Sequence, residues 1–185
     1  MFYLKEVPQV PGCRHYPPLR PLVKKYMADF IIDSLQKEEF ENLFSLSDTE
    51  LKQQGIVRMT ADTKPGFPCR VSLQDADIGD EMLLLPYAFH KTDAPYRASG
   101  PVFVRKNAAT AQLGVNQIPV MLHHRLLSVR SYDADGMMKG STVIEGKELA
   151  DHLSTSFDNP DILYIHIHNA KAGCYNCVAK RVKPE

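Results

Sequence analysis

A chain of 185 residues, 44% of them hydrophobic and 24% charged, has the composition of one ordinary soluble globular domain with a core of its own. Its 22 Lys+Arg balance 22 Asp+Glu, which excludes a dedicated nucleic-acid binder carrying a basic surplus. No apolar run approaches the about 18 residues of a membrane span, and the N-terminus lacks the continuous apolar stretch of a secretory signal, so neither membrane nor export is expected.

The charge is uneven along the chain. Residues 1–26 hold Lys5, Arg14, Arg20, Lys24 and Lys25 against Glu6 alone, with five of the 13 prolines. Proline removes backbone donors and blocks regular structure, so residues 1–26 read as an irregular basic arm. Met27 follows directly and reads as an alternative start, with the arm an over-called reading frame and the domain running over residues 27–185. Four cysteines, Cys13, Cys69, Cys174 and Cys177, are too few for a disulfide framework and stay reduced in a cytoplasmic chain.

After the arm, the apolar run at residues 30–35 predicts a first strand, and Phe40, Leu43 and Phe44 fall at helical spacing. Ser47 and Glu50 then form a capping box, Leu46 and Leu51 a hydrophobic staple, and Gly55 a C-terminal stop, predicting a helix of about two turns. From Ile56 the period changes to two. Lys64 to Pro68 is turn chemistry, and residues 69–73 predict a strand leaving it. Residues 81–90 predict a mostly buried strand with Pro86 at a bulge or an edge. A polar loop follows, then another strand from Pro101. Ala134-Asp135-Gly136 between alternating segments is a strong hairpin signal. Residues 146–157 predict one late helix, and the segments around His166 and Cys177 a closing hairpin. The expected fold is α+β: a single domain with a mainly antiparallel sheet curled toward a barrel, two short N-terminal helices and one late helix. No glycine-rich phosphate loop or metalloprotease motif is present.

The closing hairpin carries the chemistry. Alternation sets Leu163, Ile165 and Ile167 on one face and Tyr164, His166 and His168 on the other. Pairing Asn169 with Cys174 across a four-residue loop puts Tyr175 opposite His168 and Cys177 opposite His166, with facing Cβ atoms roughly 5 Å apart. Cys174 then shares the apolar face, so the two cysteines cannot converge on one ion. His166, His168 and Cys177 remain as a smaller candidate ligand set for zinc, whose bonds run about 2.0–2.3 Å; a one-residue slip would disperse it. Cys69 and Cys174 are candidate thiol nucleophiles, with His166 and His168 as candidate catalytic partners. The competing reading makes both thiols small buried hydrophobes. Arg130 and Tyr132 share a face of their strand, and Arg105 and Arg70 lie on others. If these faces coincide, Arg70, Arg105, Arg130, Tyr132, His166 and His168 form a site for an anionic small molecule, since guanidinium forks grip carboxylate or phosphate. A solvated outer face fits the same alternation.

Four stretches in order, ADTKPGFPCRVSLQDADIGDEMLLL, PYRASGPVFVR, LLSVRSYDADGMM and YIHIHNAKAGCY, resemble a bacterial domain-of-unknown-function family, the twelve-oh-three family, over about residues 30–181. The resemblance implies a soluble, cytoplasmic bacterial protein and no established activity, substrate or cofactor. Its motif positions here include Pro65, Gly66, Pro68, Cys69, Arg70, Pro95, Tyr96, Gly100, Pro101, Arg130, Tyr132, Asp133, His168, Asn169, Gly173 and Cys174. Cys177 falls outside that pattern, which weakens the zinc set. The functional expectations are therefore three: a small-molecule site on the Arg130/Tyr132/His166/His168 face, binding or catalytic; a non-catalytic interaction or structural module whose motif residues set turns; and a metal site at His166, His168 and Cys177.

Overall fold

The computed structural model describes residues 28–182. The basic arm and the alternative start at Met27 lie outside the described residues. Among the described residues ten strands form two five-stranded sheets. The first contains β1 (Phe30–Asp33), β7 (Leu126–Tyr132), β8 (Met138–Glu145), β9 (Tyr164–Asn169) and β10 (Tyr175–Arg181), in the order β1-β10-β9-β7-β8 and wholly antiparallel. The second contains β2 (Val57–Thr60), β3 (Pro68–Cys69), β4 (Gln74–Asp75), β5 (Glu81–His90) and β6 (Ala98–Arg105), in the order β2-β5-β6-β3-β4, with β3 parallel to β6. The sheets are separate and do not close, which corrects the expected barrel.

The helices also differ from expectation. The first predicted helix is two 3₁₀ turns, Lys37–Glu39 and Glu41–Ser45. The capping-box helix, α1 (Asp48–Gln53), forms as read: the Glu50 amide donates to Ser47 Oγ at 3.4 Å, the Ser47 amide donates to Glu50 Oε2 at 2.7 Å, and Gly55 stops it at φ +72°. A short helix without a capping side chain, α2 (Val120–His123), was not expected. The late helix is a 3₁₀ turn at Gly146–Glu148 leading into α3 (Leu149–Ser156).

Two buried clusters follow from this layering. Leu149, Leu153 and Phe157 beside α3 and Leu122 of α2 cover the Val129, Ile165, Ile167 and Cys177 face of the first sheet. Burying each such aliphatic side chain contributes about 1.5–3 kcal/mol. The second cluster joins Phe40, Leu51 and Ile56 to Met82, Leu83, Val102 and Val104 of the second sheet, and it takes in Tyr175 from β10. The other face of the first sheet is thereby turned toward the second. Pro86 lies just past the end of the β2 pairing, which stops at Leu84, so its missing N–H breaks no ladder bond on that side.

Candidate functional site

Register builds one polar face. Between β7 and β9, Arg130 stands opposite His166, Ser128 opposite His168 and Tyr132 opposite Tyr164. Between β9 and β10, Tyr175 stands opposite His168. Facing residues project to the same side, so Arg130, Tyr132, Tyr164, His166, His168 and Tyr175 share it. The hairpin turn presents His168: the Asn169 amide donates to the Cys174 carbonyl at 2.9 Å, and Gly173 sits at φ +75°, where a Cβ would be strained.

The end of β5 covers this face. Phe89 stacks on Tyr175 with centroids 5.0 Å apart and meets His168 edge-on at 5.2 Å. His90 lies 4.4 Å from the Tyr132 ring and 4.8 Å from the His166 ring. Its tautomer follows from its partners. Nδ1 lies 2.7 Å from the Tyr96 carbonyl, which only accepts, so Nδ1 carries the proton; Nε2 then accepts from the Tyr164 hydroxyl at 2.7 Å. Both nitrogens of His90 are spent.

His166 and His168 are different. His168 Nδ1 donates to the Gly173 carbonyl at 2.9 Å, which leaves Nε2 as a bare lone pair. That Nε2 and His166 Nδ1 are both buried without a hydrogen-bond partner. An unpaired buried polar atom costs about 1–3 kcal/mol, so two side by side are a retained expense. Burial, with His90, His168 and Arg130 repelling a second positive charge, holds the His166 imidazole down at about 3. Burial also holds His168 down at about 4, opposed by its bond to Gly173 and reinforced by Arg130 and Arg70. Both rings are neutral at pH 7. Half-buried Arg130 reaches Ser128 Oγ at 3.4 Å, and among the described residues no carboxylate pairs with it. Burial raises the Tyr132 phenol, with the Arg130 charge and a hydrogen bond from it pulling the other way.

Other expected site residues lie elsewhere. Arg70 is 1% exposed and donates from Nε to the Tyr175 carbonyl at 2.8 Å and from a terminal nitrogen to the Pro68 carbonyl. It ties β10 to β3 and turns no N–H toward the histidine face through those bonds. Burial lowers it to about 10, and it stays charged at neutral pH. Arg105 belongs to the second sheet and pairs with Asp80 at 3.2 Å. Cys69 is fully buried, its sulfur accepting the Arg105 amide at 3.3 Å. The expected strand over residues 69–73 is instead a turn between β3 and β4, closed by the Leu73 amide on the Cys69 carbonyl at 3.0 Å. Cys174 is half-buried at the hairpin mouth and outside the aliphatic cluster, not on the apolar face that alternation assigned it.

Cys177 is a correction of register. A bulge at Asn176 shifts the pairing, so Cys177 stands opposite Ile167, and Val178 opposite His166. The Asn176 side-chain Nδ2 donates to Asn169 Oδ1 at 2.8 Å, holding the extra residue. Cys177 enters the aliphatic core, where burial pushes its thiol far up. It shares no face with His166 and His168. Among the described residues no group of three or more His, Cys, Asp or Glu side chains is arranged to hold a metal ion.

His90 carried no expected role. Alternation from Pro86 and Ala88, both exposed, points it outward, and a register shift between Tyr87 and His90 turns it in. Phe89 was likewise legible only as a strand residue. A family model described as "Protein of unknown function (DUF1203)" matches residues 66–181, which takes in β3 through β10 and the whole histidine face. No curated protein and no solved structure matches the chain.

Proposed function

The chain belongs to the DUF1203 family, and on that premise we propose that its histidine face binds a small hydroxylated anion, a hydroxy acid or a hydroxylated phosphate ester. One observation carries this reading: Arg130, half-buried and without a carboxylate partner among the described residues, lies beside two buried imidazoles, each with one buried nitrogen unpaired. Guanidinium supplies the charge an anion needs. His168 Nε2, lone pair only, needs a donor, and a ligand hydroxyl is one. Phe89, Tyr132 and Tyr175 exclude water around the contact and strengthen it.

Binding fits better than acid–base catalysis. A general acid or base works best with a pKa near 7. Imidazoles held at about 3 and 4 have no proton to give at neutral pH and take one weakly. The half-buried position of Cys174 and the burial of Cys69 supply no nucleophile on this face. Free thiols at Cys69, Cys174 and Cys177 and the family resemblance support a bacterial cytoplasmic setting, and no described helix is long and apolar enough to cross a membrane.

Thermal unfolding with glycolate, malate and glycerol phosphate, set against acetate and glycerol, tests the reading. A ligand at a hundred times its Kd stabilises by about 2.7 kcal/mol, and each kcal/mol moves Tm by about 2–4 °C at this chain length. The hydroxylated anions are expected to raise Tm, acetate less and glycerol not at all. Arg130→Gln is expected to weaken binding about ten- to a hundredfold, the worth of a charged hydrogen bond. No rise at millimolar ligand, or an equal rise in R130Q, rejects the proposal.

A further inference from the structure

We propose that a cleft sharing no residue with the histidine face binds an uncharged amphipathic small molecule. It is a half-open cleft of about 740 Å³ between the turn at residues 70–73, β4 and α2. That volume lies within the usual range for a small-molecule site, about 300–1,000 Å³. Its apolar lining comes from Leu73, Leu113, Ile118, Pro119, Val120 and Met121. Its polar lining includes Lys64, Ser72, Gln74, Asp75, Asp77 and His124.

Three observations point to a ligand and to its class. The first is Ser72, a lining residue whose Oγ lies just beneath the surface, buried and without a partner among the described residues. A hydroxyl both donates and accepts, so it suits an alcohol or an amide. The second is the pairing of each lining Lys and Asp among the described residues. Lys64 holds Asp77 at 2.5 Å. Arg125 grips both oxygens of Asp75, one of them at 3.0 Å, and donates to His124 Nε2 at 2.9 Å. Among the described residues no lining carboxylate or ammonium is left for an ion, and an ionic ligand would have to displace a pair. The same pairing argues against a Ser–His–Asp nucleophile here: the Arg125 guanidinium neutralises Asp75 and takes the histidine nitrogen that the carboxylate would orient.

The third observation is that the cavity is held open. Leu73, a bulky residue, sits in left-handed backbone at φ +51° with its side chain 2% exposed. Such outliers persist only where the surroundings impose them, and they gather at ligand clamps. Opposite it, Gln117 Oε1 accepts the Gly114 amide at 2.8 Å, and Asn116 bonds the Phe30 amide at 3.0 Å and Asp29 at 2.7 Å. These bonds fix the loop that carries Leu113 and Ile118 to β1, so the walls do not depend on a ligand for their position. Val120, 79% exposed, stands at the mouth.

Amide NMR of the full chain with benzyl alcohol, toluene, benzoate and benzylamine tests this. Benzyl alcohol is expected to move the amides of residues 72–75 and 118–121 and to saturate at millimolar concentration. Benzoate and benzylamine are expected to bind at least tenfold more weakly. Val120→Glu, a change at an exposed position, is expected to keep the unfolding midpoint and abolish binding. Ser72→Ala is expected to weaken benzyl alcohol severalfold and leave toluene unchanged. The proposal is overturned if those amides stay still, if either charged analogue binds as well as the alcohol, or if a folded V120E binds normally. Should V120E not fold, the charge series on the unaltered protein decides alone.

Discussion

Lowering the pH from 7 to 5 puts the strongest load on His166 and His168. Their relative exposures are 4% and 0%, and their folded pKa values are about 3 and about 4 against 6.5 for a free imidazole. The unfolded chain therefore binds more protons than the folded chain between pH 6.5 and about 3. Stability is fully present above 6.5 and is lost as the pH falls through that window. At pH 5 each ring lies about 1.5 units below its unfolded pKa and is still neutral in the fold. At about 1.4 kcal/mol per unit, each ring costs about 2 kcal/mol and the pair about 4. That is a large share of a typical 5–15 kcal/mol. Carboxylates held low by their partners, Glu81 beside Lys106 and Asp77 beside Lys64, begin to matter only below about pH 4.5, so the window from 7 to 5 isolates imidazoles. Half-buried His152, lowered by burial, adds a smaller share. Urea unfolding at pH 7, 6 and 5 measures the effect in the unaltered chain and in His166→Phe/His168→Asn. The asparagine retains a donor for the Gly173 carbonyl, and the phenylalanine suits a position ringed by His90, Tyr132 and Tyr175. Most of the pH slope is expected to vanish in the double variant. An unchanged slope, or ring-carbon titrations of either histidine with midpoints near 6.5, would refute the reasoning.

Two further outcomes follow from burial and partners. Among Cys69, Cys174 and Cys177, a thiol reagent applied to the folded chain is expected to label Cys174 alone, with the two fully buried sulfurs reacting only on unfolding; peptide mapping by mass spectrometry reads this directly. Arg70→Met is expected to cost several kcal/mol in chemical denaturation, because it strands the Tyr175 and Pro68 carbonyls in the interior, whereas R130Q, which breaks no ion pair among the described residues, is expected to stay within about 0.5 kcal/mol of the unaltered chain.

Much of the local structure was legible because its causes are local. The capping box at Ser47 and Glu50, the Asp135-Gly136 hairpin and the four-residue turn ending at Gly173 depend on residues within a few positions of one another. The same holds for the shared face of His166 and His168, which strand alternation alone dictates. What escaped was non-local or irregular. The separation into two sheets depends on pairing β1 with β10 and β3 with β6, contacts that no short window encodes. Single-residue irregularities had the largest consequences for the site. The bulge at Asn176 carries Cys177 into the core, and the register shift before His90 brings that ring onto the histidine face. Arg70 was misplaced for a different reason: its residue type suits an anion site, and only the tertiary fold shows its donors engaged by main-chain carbonyls.

The central claim is that the bare nitrogen of His168 and the guanidinium of Arg130 hold one ligand between them. Imidazole and guanidinium ¹⁵N NMR at pH 7, titrated with glycerol phosphate, tests it most directly. Before ligand, His168 is expected to show a protonated Nδ1 and a lone-pair Nε2, as its bond to Gly173 requires. With ligand, His168 Nε2 and Arg130 Nε are expected to shift together along one saturation curve, and His168 Nε2 is expected to stay still in R130Q. Nitrogens that do not move, or a His168 shift that survives loss of the Arg130 guanidinium, would contradict it.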